Sequence, residues 1–337
     1  MPDKIVHKNN QGEVIGTSHA TLSNTEVAGA AIGLGVAGWG ALNRMTDNSH
    51  AAAYERYMEA HQFDKALSEA EQLIKRHNKD ASGYMIRATT YMYMDRIADA
   101  LKDLNRALAL NEGKHSGWND HWRITTLTLR AKCYEVQEQW AAALQDLSEA
   151  LQYEQSDPTI WLQRGIVTLE IGDAKQALQD ISKAVELNPG NAAAYYQRAR
   201  VHQKMDNQGE SLADINRAIR LDGSQAKYYE LRIILHEATG NLEAAQSDLK
   251  QLSEVDKRAK ANAKEEQATI ARAKQTVIQH DVRSAANTMA GIGATALVGP
   301  ILLAASGGFR GGEAVLYASF ALLWALFRYF GRTWNTV

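Results

Sequence analysis

Residues 158–191 read PTIWLQRGIVTLEIGDAKQALQDISKAVELNPGN, and this stretch decides the fold class of the chain. It combines small residues and large apolar residues at fixed positions. The small residues are Gly165, Gly172, Ala177 and Ala184, the large ones are Trp161 and Ile181, and Pro189 lies near the end. Small side chains let two helices approach closely, while aromatic and aliphatic side chains fill the gaps between them. The stretch is therefore predicted to be a hairpin of two packed helices.

The same pattern recurs with a period of 34 residues, which is typical of a helical repeat array. Six blocks, which we number repeats 1 to 6, start at Asp47, Ala81, Ile124, Pro158, Ala192 and Ala226. An insertion at residues 115–123 separates repeat 2 from repeat 3, and its Trp118 and Trp122 either rest on the array or meet a partner. Tyr54 and Ile233 replace the small residue at position 8 of repeats 1 and 6. Such departures are expected of terminal repeats that cap an array.

Repeat 4 shows the full order of residue types. It has an aromatic residue at position 4, small residues at positions 8, 20 and 27, a large apolar residue at position 24 and proline at position 32. This order resembles the signature of the tetratricopeptide repeat (TPR), and the resemblance covers residues 47–259. It implies an all-α fold, a TPR-type helical-hairpin solenoid in which each hairpin covers the open face of the one before it. It also implies a concave surface, lined by the first helix of each hairpin, that binds a protein or peptide partner.

In the TPR family the concave groove is lined by positions 2, 5, 9, 12 and 13 of each repeat. Carried onto this sequence, those positions give the candidate partner-binding residues Met85, Thr89, Met92, Tyr93, Thr128, Lys132, Leu162, Ile166, Tyr196, Arg200 and Lys204. One end of this predicted groove is rich in Met and Tyr, whose side chains adapt well to partner surfaces. Lys132, Arg200 and Lys204 form a basic step that would suit an acidic or free C-terminal end of a partner. The alternative is that all of these residues lie on ordinary solvated helix faces.

The C-terminal part of the chain is apolar. Residues 284–309 carry no charge, and about 20 apolar residues suffice to cross a bilayer. A second apolar run, 314–327, is followed by Arg328 and aromatic residues. We therefore expect a C-terminal transmembrane helical hairpin at 284–337, preceded by a basic stalk helix at 260–283. Because basic residues flank the hairpin on both sides, the positive-inside tendency places the TPR array on the cytoplasmic side of the membrane. A buried pair of soluble helices is the alternative.

The N-terminal part contains a third apolar stretch, residues 27–43, which either spans a membrane or forms an interfacial linker. Small residues recur every four positions in this stretch and in the C-terminal run: Gly29, Gly33 and Ala37, and Gly291, Thr295 and Gly299. Such spacing lets helices pack closely in lipid, so we expect the two segments to pack together, or to join copies of the chain as a homo-oligomer. Residues 1–26 are predicted to be a polar tail, with a small β-hairpin over Lys4–Lys8 and Glu13–Thr17 as the alternative.

Composition and motifs argue against an enzyme. The 337 residues include 37 basic and 39 acidic side chains, so no overall field favours nucleic acid. The single cysteine, Cys133, excludes an internal disulfide and is expected to pack inside a helix pair. Residues 33–38 match a dinucleotide-binding glycine motif, but the repeats begin too soon afterwards to leave room for the second strand.

Metal binding and cofactors are also not expected. His115, Asp120 and His121 cluster in the insertion, yet a lone loop cluster seldom binds a metal ion. His202 and His236 occupy position 11, where repeats 1 to 3 have tyrosine, and are predicted to be packing residues.

Two functional hypotheses remain open from the sequence. The first is a non-catalytic, membrane-anchored scaffold or adaptor that binds a protein or peptide in the concave groove of the array. The second is an oligomeric pore-forming or membrane-remodelling protein that uses the glycine-patterned apolar segments, with the array as its assembly or regulatory domain.

Overall fold

The computed structural model describes residues 4–8, 14–19, 48–110 and 117–305. The chain forms two compact units, residues 1–268 and residues 269–337. Within the described residues there are twelve helices: α1 (Asn48–Glu59), α2 (Phe63–Arg76), α3 (Ala81–Tyr93), α4 (Ile97–Leu110), α5 (Gly117–Val136), α6 (Trp140–Tyr153), α7 (Pro158–Ile171), α8 (Ala174–Leu187), α9 (Ala192–Lys204), α10 (Gln208–Leu221), α11 (Ala226–Ala238) and α12 (Leu242–Ala305). Consecutive pairs of helices form the six predicted hairpins, so the all-α solenoid is confirmed.

Small residues lie where the helices come closest, as the register predicts. The alanines at position 20 of repeats 1 to 4 are fully buried: Ala66, Ala100, Ala143 and Ala177. At Gly165 a Cβ atom would lie 2.4 Å from Cγ1 of Ile181. Glycine therefore lets Ile181 pack directly against α7, because a larger residue at this position would displace the Ile181 side chain.

The turn inside each hairpin uses one left-handed residue, always at position 15. Gly172 and Gly240 have φ of 102° and 74°. The other four repeats place a non-glycine residue in the same conformation, with φ between 52° and 59°: His61, Asp95, Glu138 and Asp206. The recurrence of one backbone conformation at one register position explains why the six turns are alike although their sequences are not.

A buried arginine–aspartate pair holds the two helices of each hairpin together in repeats 2 to 6. The arginine is at position 7 and the aspartate at position 23, and each pair makes two parallel hydrogen bonds of 2.6–2.8 Å. The pairs are Arg87–Asp103, Arg130–Asp146, Arg164–Asp180, Arg198–Asp214 and Arg232–Asp248. The Asp180 side chain is 1% exposed, so these carboxylates would be costly to bury without a bidentate partner.

Each of these guanidinium groups also lies beside an aromatic ring of its own repeat. The distances from the guanidinium carbon to the ring centroid run from 4.9 Å, for Arg164 and Trp161, to 5.9 Å, for Arg130 and Tyr134. The aromatic residue at position 4 has a second contact in some repeats. Trp161 donates a hydrogen bond of 2.8 Å to the Gln155 carbonyl in the loop before its hairpin, and Tyr229 donates one of 3.2 Å to Gly223. The aromatic residues therefore fix the inter-repeat loops as well as filling space.

The insertion lengthens the first helix of repeat 3. Helix α5 begins at Gly117, ahead of the repeat proper at Ile124. Trp122 in this extension packs against the core cluster that contains Met85 and against the cluster that contains Tyr54. Arg123 pairs with Glu149 of α6, its Nε donating at 2.8 Å. Trp122 therefore rests on the array and ties repeat 3 to repeats 1 and 2.

The N-terminal residues contain the β-hairpin that the sequence offered as the alternative to a tail. Strands β1 (Lys4–Lys8) and β2 (Val14–His19) pair antiparallel, with Lys4 opposite His19 and an irregularity between His7 and Lys8. Both strands contain β-branched residues, Ile5 and Val6 in β1 and Val14, Ile15 and Thr17 in β2, which favour extended backbone.

Helix α12 contains the predicted stalk, residues 260–283, and the start of the apolar run, including Gly291, Thr295 and Gly299. Among the described residues, no helix combines the length and the apolar content needed to cross a bilayer. The other membrane predictions, namely the second apolar run at 314–327 and the segment 27–43 with Gly29, Gly33 and Ala37, lie outside the described residues.

Removing one half of a buried pair is expected to destabilise the array strongly. Asp180→Ala leaves the Arg164 guanidinium without its carboxylate, and we expect a loss of about 3–4 kcal/mol in the free energy of unfolding by urea. The matched control is Asp99→Ala, because Asp99 pairs with Arg96 on the exposed surface and its removal should lower the free energy of unfolding much less. Equal losses in the two variants would contradict a special role for the buried pairs.

Candidate partner-binding groove

The first helices of neighbouring repeats lie side by side, and position 5 of one repeat meets position 3 of the next. The Thr126 hydroxyl lies 3.1 Å from the sulfur of Met85, and the rings of Tyr196 and Tyr228 lie 5.1 Å apart. Leu162 packs in one cluster with Ala194 of the following repeat. Positions 5 and 12 therefore contribute to the stacking interface between repeats.

This packing changes the candidate groove. Four of the predicted partner-binding residues are buried: Met85, Met92, Thr128 and Leu162. The sequence placed them on an open concave surface, but the next first helix covers them because small residues let the helices approach closely. In this structure they form core, and the predicted Met-rich end of the groove is not an accessible surface.

The remaining predicted residues keep some exposure. Thr89, Tyr93, Lys132, Ile166, Tyr196 and Arg200 are partly buried, and Lys204 is exposed. Tyr93 stacks on Phe63 with the ring centroids 5.6 Å apart, and burial raises its pKa to about 12. The accessible surface thus consists of positions 9 and 13 of repeats 2 to 5, together with Tyr196.

The predicted basic step is largely neutralised by neighbouring acidic groups. Arg200 donates hydrogen bonds to Glu170 of the preceding repeat, at 3.0 Å, and to Gln197, at 2.8 Å. Lys132 donates one of 2.8 Å to Glu135. Lys204 is the exposed cation of the three, so an acidic group of a partner would meet it first and would compete with Glu170 for Arg200.

Glu135 is a charged residue at a position of the stacking interface that is apolar in the two neighbouring repeats. It occupies position 12 of repeat 3, where repeats 2 and 4 have Met92 and Leu169. Its side chain is 8% exposed, its Oε1 is buried without a hydrogen-bond partner, and burial raises the pKa of the carboxyl group. Comparing position 12 across the repeats would have identified this residue from the sequence, since a carboxylate between two apolar equivalents needs an explanation.

The remaining titratable residues lie away from the groove. Nε2 of His202 and of His236 lies 3.8 Å and 3.9 Å from Asp214 and Asp248, which belong to the arginine–aspartate pairs. Cys133 is buried, as predicted, and burial raises the pKa of its thiol to about 12. Over the described ranges, no group of three or more His, Cys, Asp or Glu side chains is arranged to hold a metal ion. His115 of the loop cluster lies outside those ranges.

Comparison with known proteins agrees with this geometry. Family models described as tetratricopeptide repeats match residues 128–192 and 192–225. The DnaJ homolog subfamily C member 7 homolog of Schizosaccharomyces pombe is 29% identical over 124 residues, and the match spans 37% of this chain and 22% of that protein.

Two solved structures are similar to this one. That of Pseudomonas aeruginosa pilF has a TM-score of 0.51 at 17% identity, covering 69% of this chain and 94% of that one. YrrB, described as a TPR protein with an unusual peptide-binding site, has a TM-score of 0.44 at 20% identity, covering 55% and 91%. Residues 128–225 therefore match tetratricopeptide repeats, and the fold of the array is similar to that of pilF.

Replacing the buried ion pair of repeat 3 by its apolar equivalents is expected to stabilise the array. Lys132→Ile with Glu135→Leu copies Ile166 and Leu169 of repeat 4, and we expect a gain of about 1–4 kcal/mol at pH 7 by urea unfolding. Because the folded-state pKa of Glu135 is raised, the free energy of unfolding of the wild type falls as pH rises above the ordinary value of 4.5. The advantage of the double variant should therefore be larger at neutral pH than at pH values near 4.5.

The single variant Glu135→Leu serves as the control for this substitution. It leaves the Lys132 ammonium group without its carboxylate, so it should be less stable than the double variant. A double variant that is less stable than the wild type at neutral pH would contradict the idea that the pair is a net cost to folding.

Proposed function

We propose that this chain is a non-catalytic, membrane-anchored scaffold whose TPR array binds a peptide or protein partner on the cytoplasmic side of a membrane. The observation that carries the proposal is the row of partly exposed side chains on the first helices of repeats 3 to 5. Ile166, Tyr196, Arg200 and Lys204 lie on elements whose packing is fixed by buried ion pairs and small residues. A rigid surface that offers apolar, aromatic and cationic groups in sequence suits an extended peptide, because little entropy is lost in ordering the receptor.

The membrane part of the proposal rests on the sequence. The uncharged run from 284 to 309 is long enough to span a bilayer, and basic residues flank the apolar region on both sides. Anchoring would raise the local concentration of whatever the array binds, which is a sufficient role for a scaffold without chemistry of its own.

The partner-binding part is tested by charge reversal. The probes are acidic peptides that the full chain selects from a randomised soluble library. Arg200→Glu with Lys204→Glu is expected to weaken their binding by roughly tenfold, because two attractive charges become repulsive. The matched control is Lys175→Glu with Arg220→Glu, two exposed cations on the second helices. The proposal is wrong if both double variants retain the same peptides with the same affinity.

The membrane part has its own test. After extraction of membranes with alkaline carbonate, the full chain should stay in the pellet, whereas a chain truncated after residue 283 should be released to the supernatant. Recovery of the full chain in the supernatant would refute the anchor without affecting the proposed groove.

A further inference from the structure

The Lys132–Glu135 pair is a polar site set into the apolar stacking interface between repeats 3 and 4. Its two residues occupy positions 9 and 12, which carry Thr89 and Met92 in the repeat before and Ile166 and Leu169 in the repeat after. The two side chains are 14% and 8% exposed. A buried ion pair at a place where three of the four equivalent residues are apolar is a cost to folding, and such departures from local consistency concentrate at functional sites.

Both members of this pair have hydrogen-bonding capacity that the pair itself does not use. The Lys132 ammonium group has three N–H donors, one of which bonds Glu135 at 2.8 Å. Oε1 of Glu135 is buried and has no hydrogen-bond partner. The site thus combines an ammonium with further donor capacity and an acceptor that lacks a donor. An unsatisfied buried acceptor is unfavourable, and a ligand that supplies the donor would remove that cost.

We propose that this pair is a recognition site for an asparagine or glutamine side chain of the peptide partner. A primary carboxamide carries an N–H donor for Glu135 and a carbonyl oxygen that accepts from Lys132, both in one plane. A second cation would be repelled by Lys132, and a second carboxylate would be repelled by Glu135. A neutral group therefore suits the pair better than either charged group. A side chain suits it better than the peptide backbone, because Oε1 is buried and a donor reaches it only when a neighbouring side chain moves aside, which a single side chain requires less than a length of backbone does.

The site lies next to the proposed partner surface. Val136, the next residue along α5, is exposed at position 13, and Ile166 lies at position 9 of the following repeat. A peptide running over positions 9 and 13 of successive repeats would therefore pass directly over Lys132. The inference rests on the proposed function and adds one specificity-determining position to it.

The inference is tested by measuring how the full chain binds a positional-scanning library of soluble peptides. In each pool of this library one position is fixed and the other positions are randomised. The wild type should prefer Asn or Gln at one peptide position by roughly tenfold, the equivalent of one or two hydrogen bonds. Lys132→Ile with Glu135→Leu should lose this preference while still binding peptides, and urea unfolding of the same variant checks that it is folded. The matched control, Lys183→Ile with Glu186→Leu, removes a pair of the same spacing on the exposed surface and should keep the preference.

The outcomes separate this inference from the proposed function. A wild type whose peptide selection depends on Arg200 and Lys204, but is the same in the Lys132/Glu135 double variant, overturns the inference alone. A preference for Lys, Arg, Asp or Glu at the peptide position that contacts the pair also overturns the inference, because the site would then select a charged side chain. A wild type that selects no peptide overturns both.

Discussion

The buried arginine–aspartate pair is the interaction on which the rest of the structure depends. In repeats 2 to 6 it joins position 7 of the first helix to position 23 of the second with two short hydrogen bonds. A bidentate pair holds the planar guanidinium and the carboxylate close to one plane, so each pair restricts the rotation of both helices about their axes as well as their separation. Apolar packing alone is less specific, because aliphatic side chains tolerate several arrangements of similar energy.

Some of these pairs also join neighbouring repeats. Nη1 of Arg130 donates a hydrogen bond of 2.7 Å to Asn105 of the preceding repeat, and Arg232 makes the same contact with Asn216. One arginine therefore sets the geometry within its hairpin and the angle to the hairpin before it. The neighbouring first helices then come close enough to bury positions 5 and 12, and the accessible surface narrows to positions 9 and 13.

The architecture was predictable because it repeats. Six blocks with small residues at the same positions leave few alternatives to stacked helical hairpins, and the buried Ala66, Ala100, Ala143 and Ala177 confirm that register. The pairs themselves were not singled out from the sequence, although Arg and Asp recur sixteen residues apart in five blocks. A charged residue in an amphipathic helix is ordinarily assigned to the solvated face, and only an alignment of the repeats with one another separates position 7 from that background.

The sequence by itself determined the number of repeats, their boundaries and the core alanines, because these depend on local spacing. Tertiary structure alone decided which concave positions remain accessible. The core includes Met85, Met92, Thr128 and Leu162. Arg200 forms a hydrogen bond with Glu170 of the preceding repeat, and Glu135 is buried with one carboxylate oxygen that lacks a hydrogen-bond partner. Each of these outcomes depends on how closely the next hairpin approaches, a distance between segments about thirty residues apart that no local pattern encodes.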